Sequence, residues 1–117
     1  MNKRKTGWEK EQAAAEFLEG KGYEVLERNY WCTFSEVDIV AREGEYLCFL
    51  EIKYRKNDRY GGGEGTISMK KIRKICQCAR YYMKEKKIPM DTPVRFDVVF
   101  IIGEQIRLIK NAFSYIG

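Results

Sequence analysis

At 117 residues the chain fits a single domain, residues 1–117, able to bury roughly two thirds of the surface that its unfolded chain exposes. Its 22 Lys and Arg residues outnumber its 17 Asp and Glu residues, and the net charge of +5 favours an anionic partner such as nucleic acid. Histidine is absent, which excludes Ser-His and Cys-His nucleophilic catalysis, so any hydrolysis must depend on carboxylates, lysine, tyrosine and a metal ion.

The first element is predicted as a helix from Trp8 to about Lys21, ended by nearby glycines. Thr6 to Glu9 match a capping box, in which Thr6 caps the helix and Glu9 reaches back to the Thr6 amide. Glu9 is also in line with the apolar side of the helix, where it could point into a cleft. The residues themselves leave both interpretations of Glu9 open. The apolar side is assigned to Ala13, Ala14, Phe17 and Leu18.

Three strands are predicted next, from runs of β-branched and apolar residues. Gly44 and Glu45 form a two-residue connection between the second and third strands, with glycine first, as a type II′ hairpin turn prefers. Both faces of this hairpin are apolar except at its open end, which predicts a central place in a sheet. The three strands are Tyr23–Trp31, Ser35–Arg42 and Tyr46–Tyr54.

The hairpin register pairs Asp38 with Glu51 and Glu36 with Lys53, all on one face. Opposed residues have Cβ atoms about 4.5 to 5.5 Å apart, so the two acids repel unless a cation lies between them. Oxygen ligands favour Mg²⁺ or Mn²⁺ at Asp38 and Glu51, with Lys53 serving the attacking water or the transition state. The alternative is a cross-strand salt-bridge network of Glu36 and Glu51 with Lys53 at a half-exposed strand end.

A charged, glycine-rich loop is predicted over Arg55–Thr66, and it lacks the G-K-[ST] ending of a phosphate-binding P-loop. A second helix is predicted from its N-cap Ser68 to about Lys86. Its first turns are basic, at the end where the helix macrodipole is already positive, and a bound phosphate would relieve this. The alternative is a solvated face. The residues concerned are Lys70, Lys71, Arg73 and Lys74, of which Lys71 borders the apolar stripe.

Two further strands, Val94–Ile102 and Gln105–Lys110, are predicted as a hairpin across Gly103 and Glu104. Asp97, inside the first of them, is expected to be structural and to form a salt bridge with Arg95 or another basic neighbour. The predicted order of elements is α-β-β-β-α-β-β.

The four cysteines lack the C-x2-C spacing of a zinc site. With neither a secretory signal nor an apolar run of membrane-spanning length, they are expected to be reduced thiols in a cytoplasmic protein that makes no membrane contact. They are Cys32, Cys48, Cys76 and Cys78.

These segments together resemble the YraN-like family of uncharacterised bacterial proteins, which is similar to Holliday-junction resolvases within the PD-(D/E)xK nuclease superfamily. One departure is Ser35, where the family usually has glycine. The segments that carry the resemblance are Gly7-Trp8-Glu9, Arg28-Asn29, Glu36 to Ala41, Phe49 to Arg55, Lys71 with Ala79 and Tyr82, and Arg95 to Val99.

The resemblance implies an α/β fold with a restriction-endonuclease-like core, in which helices flank a central mixed sheet. It assigns Asp38, Glu51 and Lys53 to the nuclease core and matches Glu9 to the first-helix acid of the resolvase-like branch. Resolvase-like relatives act as dimers, so a homodimer is compatible with the sequence.

The expected function is that of a metal-dependent nuclease, or nuclease-like protein, acting on phosphodiester bonds of structured or branched DNA. Arg55, Lys70, Lys71 and Lys74 would contact nucleic acid. One alternative is a non-catalytic nucleic-acid-binding or adaptor module that retains the fold, and another is a protein-interaction domain with no nucleic-acid role.

Overall fold

A computed structural model describes residues 3–33, 35–55 and 67–116, with side chains from residue 9 onwards. The elements follow the predicted order α-β-β-β-α-β-β. They are α1 Lys3–Gly20, β1 Glu24–Trp31, β2 Glu36–Glu43, β3 Tyr46–Arg55, α2 Met69–Glu85, β4 Val94–Ile102 and β5 Gln105–Phe113.

The five strands form one mixed sheet in the order β1-β2-β3-β4-β5. Strands β3 and β4 are parallel, with α2 in the connection between them, and the other neighbouring pairs are antiparallel. A parallel pair needs a crossover of this kind, whereas antiparallel neighbours can be joined by tight turns. The hairpin register is confirmed from Glu43–Tyr46 to Ile39–Leu50, and Gly44 has a φ of 57°.

Each helix covers one face of the sheet. On one face Phe49 packs in a cluster with Ile75 and Tyr82 of α2, and on the other Leu50 packs in a cluster with Ala14 and Leu18 of α1. Burying a side chain such as Leu18 stabilises the fold by about 1.5–3 kcal/mol. The central strands β2 and β3 are therefore buried on both faces, as their apolar runs predict. Neither helix is long and apolar enough to cross a membrane.

Helix α1 differs from its prediction in both start and phase. It begins at Lys3, which places Thr6 inside the helix and removes the predicted capping box. Its buried stripe is Ala14, Ala15 and Leu18, while Ala13 is exposed. Three consecutive alanines made the phase ambiguous, because each is apolar enough to face a core.

Strand β5 extends beyond the predicted Lys110 to Phe113. An irregularity in the β4–β5 register coincides with Asn111, whose φ is 55° and whose amide donates to Asp97 Oδ1 at 2.8 Å. The predicted salt bridge between Arg95 and Asp97 is confirmed at 2.8 Å. A buried carboxylate thus supports the bulge that lets β5 continue.

Cys32 and Cys78 form a disulfide, so the prediction that all four thiols are reduced is wrong for this pair. The bond joins the segment after β1 to α2, across 46 residues of sequence. Cys48 and Cys76 are buried free thiols. Sequence spacing carried no sign of the pairing, because only packing of α2 on the sheet brings the two positions together.

Candidate functional site

Asp38 of β2 and Glu51 of β3 are brought together where the two central strands separate. The paired ladder ends at Ile39 and Leu50, one position before the acids. Beyond it the Ile52 amide donates to Asp38 Oδ2 at 2.8 Å, so the carboxylate replaces a backbone acceptor. The charge of Asp38 raises the pKa of Glu51, as expected for neighbouring carboxylates. Two acids therefore lie side by side at the end of a buried hairpin.

Burial and mutual repulsion raise the pKa of these two acids. Burial, and then the charge of Asp38, raises the pKa of Glu51 to about 7, while Lys71 and Lys53 oppose the shift. Burial also raises the pKa of Asp38, against the Ile52 amide and Lys71. A cation placed between the two would offset their repulsion and favour the charged form of both.

One oxygen of this pair lacks a hydrogen bond. Glu51 Oε2 is buried with no donor, and the Lys71 ammonium is 3.7 Å away. An unsatisfied carboxylate oxygen in a buried position is costly, and a hard cation would satisfy it. The oxygen set of Asp38 and Glu51 fits Mg²⁺ or Mn²⁺ in type.

Lys71 is the cation that α2 contributes. Ser68 Oγ accepts a hydrogen bond from the Lys71 amide at 3.1 Å, which confirms Ser68 as the N-cap and begins the helix beside the acids. The charge of Lys71 lowers the pKa of Glu36, Asp38 and Glu51 alike. Its side chain is about one third exposed, so it faces both the acids and solvent.

Lys53 lies two residues beyond Glu51 on β3, half-buried, and its charge lowers the Glu51 pKa. Neither predicted strand pair, Asp38 with Glu51 or Glu36 with Lys53, belongs to the β2–β3 ladder, which ends at Ile39 and Leu50. The charge of Asp38 instead helps to raise the pKa of Glu36, after burial. The separation of the strands follows from Asp38, whose side chain takes the Ile52 amide from the ladder.

The remaining predicted basic residues surround the acids less closely. Arg55 ends β3, half-buried, and donates to the Tyr54 carbonyl at 3.0 Å. Lys70 is exposed and Lys74 half-exposed, and neither forms an ion pair within the described residues. The predicted loop over residues 56–66 lies outside the described residues.

The first-helix acid beside the site is Glu11, where the sequence pointed to Glu9. Glu9 is exposed, whereas the charge of Glu11 raises the pKa of both Glu36 and Asp38. Glu11 Oε2 is also buried without a hydrogen bond. Glu11 precedes the buried Ala14 and Leu18 by three and seven residues, which is the spacing of one helix face. With the correct phase for α1, this spacing would have identified it.

We call Glu11, Glu36, Asp38 and Glu51 the acidic cluster. Burial first, and then Asp38 and Glu11, raises the pKa of Glu36. Among residues 3–33, 35–55 and 67–116, no three or more ligating side chains are arranged to hold a metal ion. Mg²⁺ commonly uses one or two carboxylates, with waters and substrate phosphate completing its shell.

Fold and site together define a mixed α/β protein with two neighbouring carboxylates, Asp38 and Glu51, at the end of its central hairpin. The chain belongs to the family described as Uncharacterised protein family UPF0102, whose model matches residues 10–101. This confirms the predicted YraN-like family. The matched range contains Glu11, Asp38, Glu51 and Lys71 but not Glu9.

Relatives extend over almost the whole chain. A UPF0102 protein of Lachnoclostridium phytofermentans is 50% identical over 117 residues, covering 100% of this chain and 99% of that protein. One of Fusobacterium nucleatum is 40% identical over 111 residues, covering 95% and 92%. One of Legionella pneumophila is 39% identical over 106 residues, covering 89% and 90%.

Proposed function

We propose that this protein is a metal-dependent nuclease that cleaves phosphodiester bonds of structured or branched DNA. The observation that carries the proposal is the pair Asp38 and Glu51: Glu51 is buried, its Oε2 has no hydrogen-bond donor, and Asp38 accepts from the Ile52 amide beside it. Retaining two neighbouring acids at the edge of a core is costly unless they are paired with a positive charge or bind a cation. Two carboxylates and nearby lysines are groups that can hydrolyse a phosphodiester with a metal ion and without histidine.

The topology supports a restriction-endonuclease-like core. An antiparallel hairpin, β2–β3, carries the acids, and the crossover through α2 returns the chain parallel to β3 as β4. In this arrangement α2 begins beside the acids and contributes Lys71 there. The residues that resemble the PD-(D/E)xK pattern thus lie at the strand ends where such a site is expected.

The residues divide the work by their positions. Asp38 and Glu51 would hold Mg²⁺ or Mn²⁺, and the cation when bound would neutralise phosphate charge and acidify a water. Lys53, on the same strand as Glu51, would orient the attacking water. Lys71 and Arg55 would contact the phosphate. Glu11, rather than Glu9, would assist from α1 by orienting water at the acidic cluster.

The test is cleavage of branched, single-stranded and duplex DNA, and of RNA, by purified protein with Mg²⁺ or Mn²⁺. Wild type should cut branched DNA, and Glu51→Gln and Lys53→Ala should each lose at least a hundredfold in rate, in line with removal of a group acting on the reacting water. Glu45→Gln, in the exposed hairpin turn, is the matched control and should keep full activity. Equal activity in Glu51→Gln would rule the site out.

The alternative is a non-catalytic nucleic-acid-binding or adaptor module, favoured by the lack of a three-ligand group among the described residues. It predicts salt-sensitive binding of DNA with no cleavage of any substrate under either metal.

If cleavage does occur, paired cuts across a junction would require two sites and hence a homodimer. Sedimentation of the protein with and without a junction would measure that assembly.

A further inference from the structure

Positive charge is concentrated on α2 and the turn that follows it. Between residues 70 and 87 there are eight Lys and Arg residues and one acid, Glu85. That segment has a net charge of +7, whereas the whole chain has +5, so the remaining residues together carry −2. The excess charge is thus a property of one helix rather than of the whole surface.

The C-terminal half of this segment forms a groove of about 560 Å³ at the surface. No Asp or Glu lines it, and Glu85 is directed to β1, where it accepts a hydrogen bond from the Tyr30 hydroxyl at 3.1 Å. Within the described residues none of the three cations in the groove forms an ion pair. These cations are Arg80, Lys84 and Lys87.

Two large side chains stand exposed in the same groove. Tyr81 is 52% exposed and Met90 is 77% exposed. Tyr82, which follows Tyr81 in the helix, is buried. An exposed aromatic ring among unpaired cations is the combination with which proteins bind single strands, by stacking a base and neutralising phosphates. A duplex keeps its bases stacked inside and offers no such ring contact.

Lys87 occupies a position that suits glycine better. Its φ of 57° is in the left-handed region, which glycine adopts without strain at the end of a helix. A lysine there gives up some stability and adds a cation to the groove.

We propose that this groove binds a single-stranded segment of nucleic acid, with phosphates on Arg80, Lys84 and Lys87 and a base on Tyr81. The inference rests on the proposed function for the class of partner. Lys84 is thirteen residues beyond Lys71, roughly 20 Å along the helix. A strand bound in the groove could therefore reach the acidic cluster along α2, which would suit a substrate with an unpaired arm.

The experiment measures fluorescence anisotropy of a labelled single-stranded pyrimidine oligonucleotide in EDTA, using Glu51→Gln protein so that no cleavage can occur. Combining Arg80→Gln, Lys84→Gln and Lys87→Gly should reduce the slope of log affinity against log salt by about 2, since each single-strand phosphate contact contributes about 0.7. Lys21→Gln, at the end of α1, should leave the slope unchanged.

Tyr81 is tested separately from charge. Tyr81→Leu should weaken single-strand binding about tenfold, whereas Tyr81→Phe should keep it, because only the ring is needed for stacking. Duplex of the same sequence should be indifferent to both changes. Lys87→Gly alone should weaken binding without lowering the melting temperature, which separates a binding role from a structural one.

If the triple variant binds the oligonucleotide with the same affinity and salt slope as the protein with an unmutated groove, the groove is not the binding site. The nuclease proposal would be unaffected by that result. Unchanged binding in Tyr81→Leu would overturn the stacking contact. Intact groove binding by a wild-type chain that cleaves nothing would instead refute the nuclease proposal alone. Failure of the unmutated groove to bind any single strand would refute the inference.

Discussion

Glu51 shows how a single residue connects folding with function. Burial disfavours a charged carboxylate there, yet the Lys71 ammonium lies 3.7 Å from Oε2, and the charges of Lys71 and Lys53 favour the ionised form. Asp97, which is fully buried, has its oxygens bonded by Arg95, Tyr23 and the Asn111 amide. The contrast is between a satisfied structural carboxylate and one with an oxygen left open.

The raised pKa of Glu51 predicts that stability without metal falls as pH rises. The folded protein retains the proton up to about pH 7, while the unfolded chain loses it near 4.5. Between these values the folded state binds more protons, so the free energy of unfolding decreases with pH, by up to about 3 kcal/mol. Urea unfolding in EDTA at pH 4.5 to 8 would measure the decrease.

Glu51→Gln should flatten this dependence, and Glu45→Gln should leave it as in wild type. Mg²⁺ added at pH 8 should restore stability to the wild type but not to Glu51→Gln, because a cation would replace the lost proton. A wild-type curve that matches Glu51→Gln in EDTA would contradict the shifted titration.

Glu11 and Glu9 provide a paired comparison within one helix. Glu11→Gln should reduce cleavage about 10- to 100-fold, as loss of a group supporting a metal site does, whereas Glu9→Gln should stay within about twofold of wild type. Cleavage rates across a Mg²⁺ titration would measure both. The reverse order of effects would restore Glu9 to the site.

At the scale of elements, local signals predicted what local chemistry controls. Gly44 set the hairpin register, and Ser68 set the start of α2. Local signals did not determine which face of α1 is buried, because neighbouring alanines differ little in their cost of exposure. Positions 9 and 11 lie about 200° apart around a helix, so the phase of the buried stripe decides which acid faces the sheet, and only contact with the sheet fixes that phase.

Ser68 is predicted to position Lys71 as well as to stabilise α2. Ser68→Ala should lower the free energy of unfolding by about 1 kcal/mol, through loss of the cap to the Lys71 amide. Ser68→Asp should retain most of the stability, since aspartate caps helices equally well. Chemical unfolding would measure both free energies of unfolding. If Ser68→Ala is as stable as wild type, the cap contributes little.

For the whole molecule, the disulfide between Cys32 and Cys78 ties the segment after β1 to α2. Closing a loop across 46 residues is expected to stabilise the fold by about 4 kcal/mol in the chain-entropy account. Reduction of the disulfide should lower the free energy of unfolding of the wild type by about this amount. Cys32→Ser should already have the lower value and respond no further to reductant, with thiol titration of the unfolded protein as the control.

Much of this protein could be predicted from its sequence alone. The order of elements, the central hairpin and the convergence of Asp38 with Glu51 all follow from periodicity and turn chemistry, which act over a few residues. The tertiary structure decided which helix acid reaches the site, that Cys32 meets Cys78, and that Lys71 rather than Lys53 lies within ion-pair distance of Glu51. These depend on how distant elements pack, because burial and charge act between residues that the sequence keeps far apart.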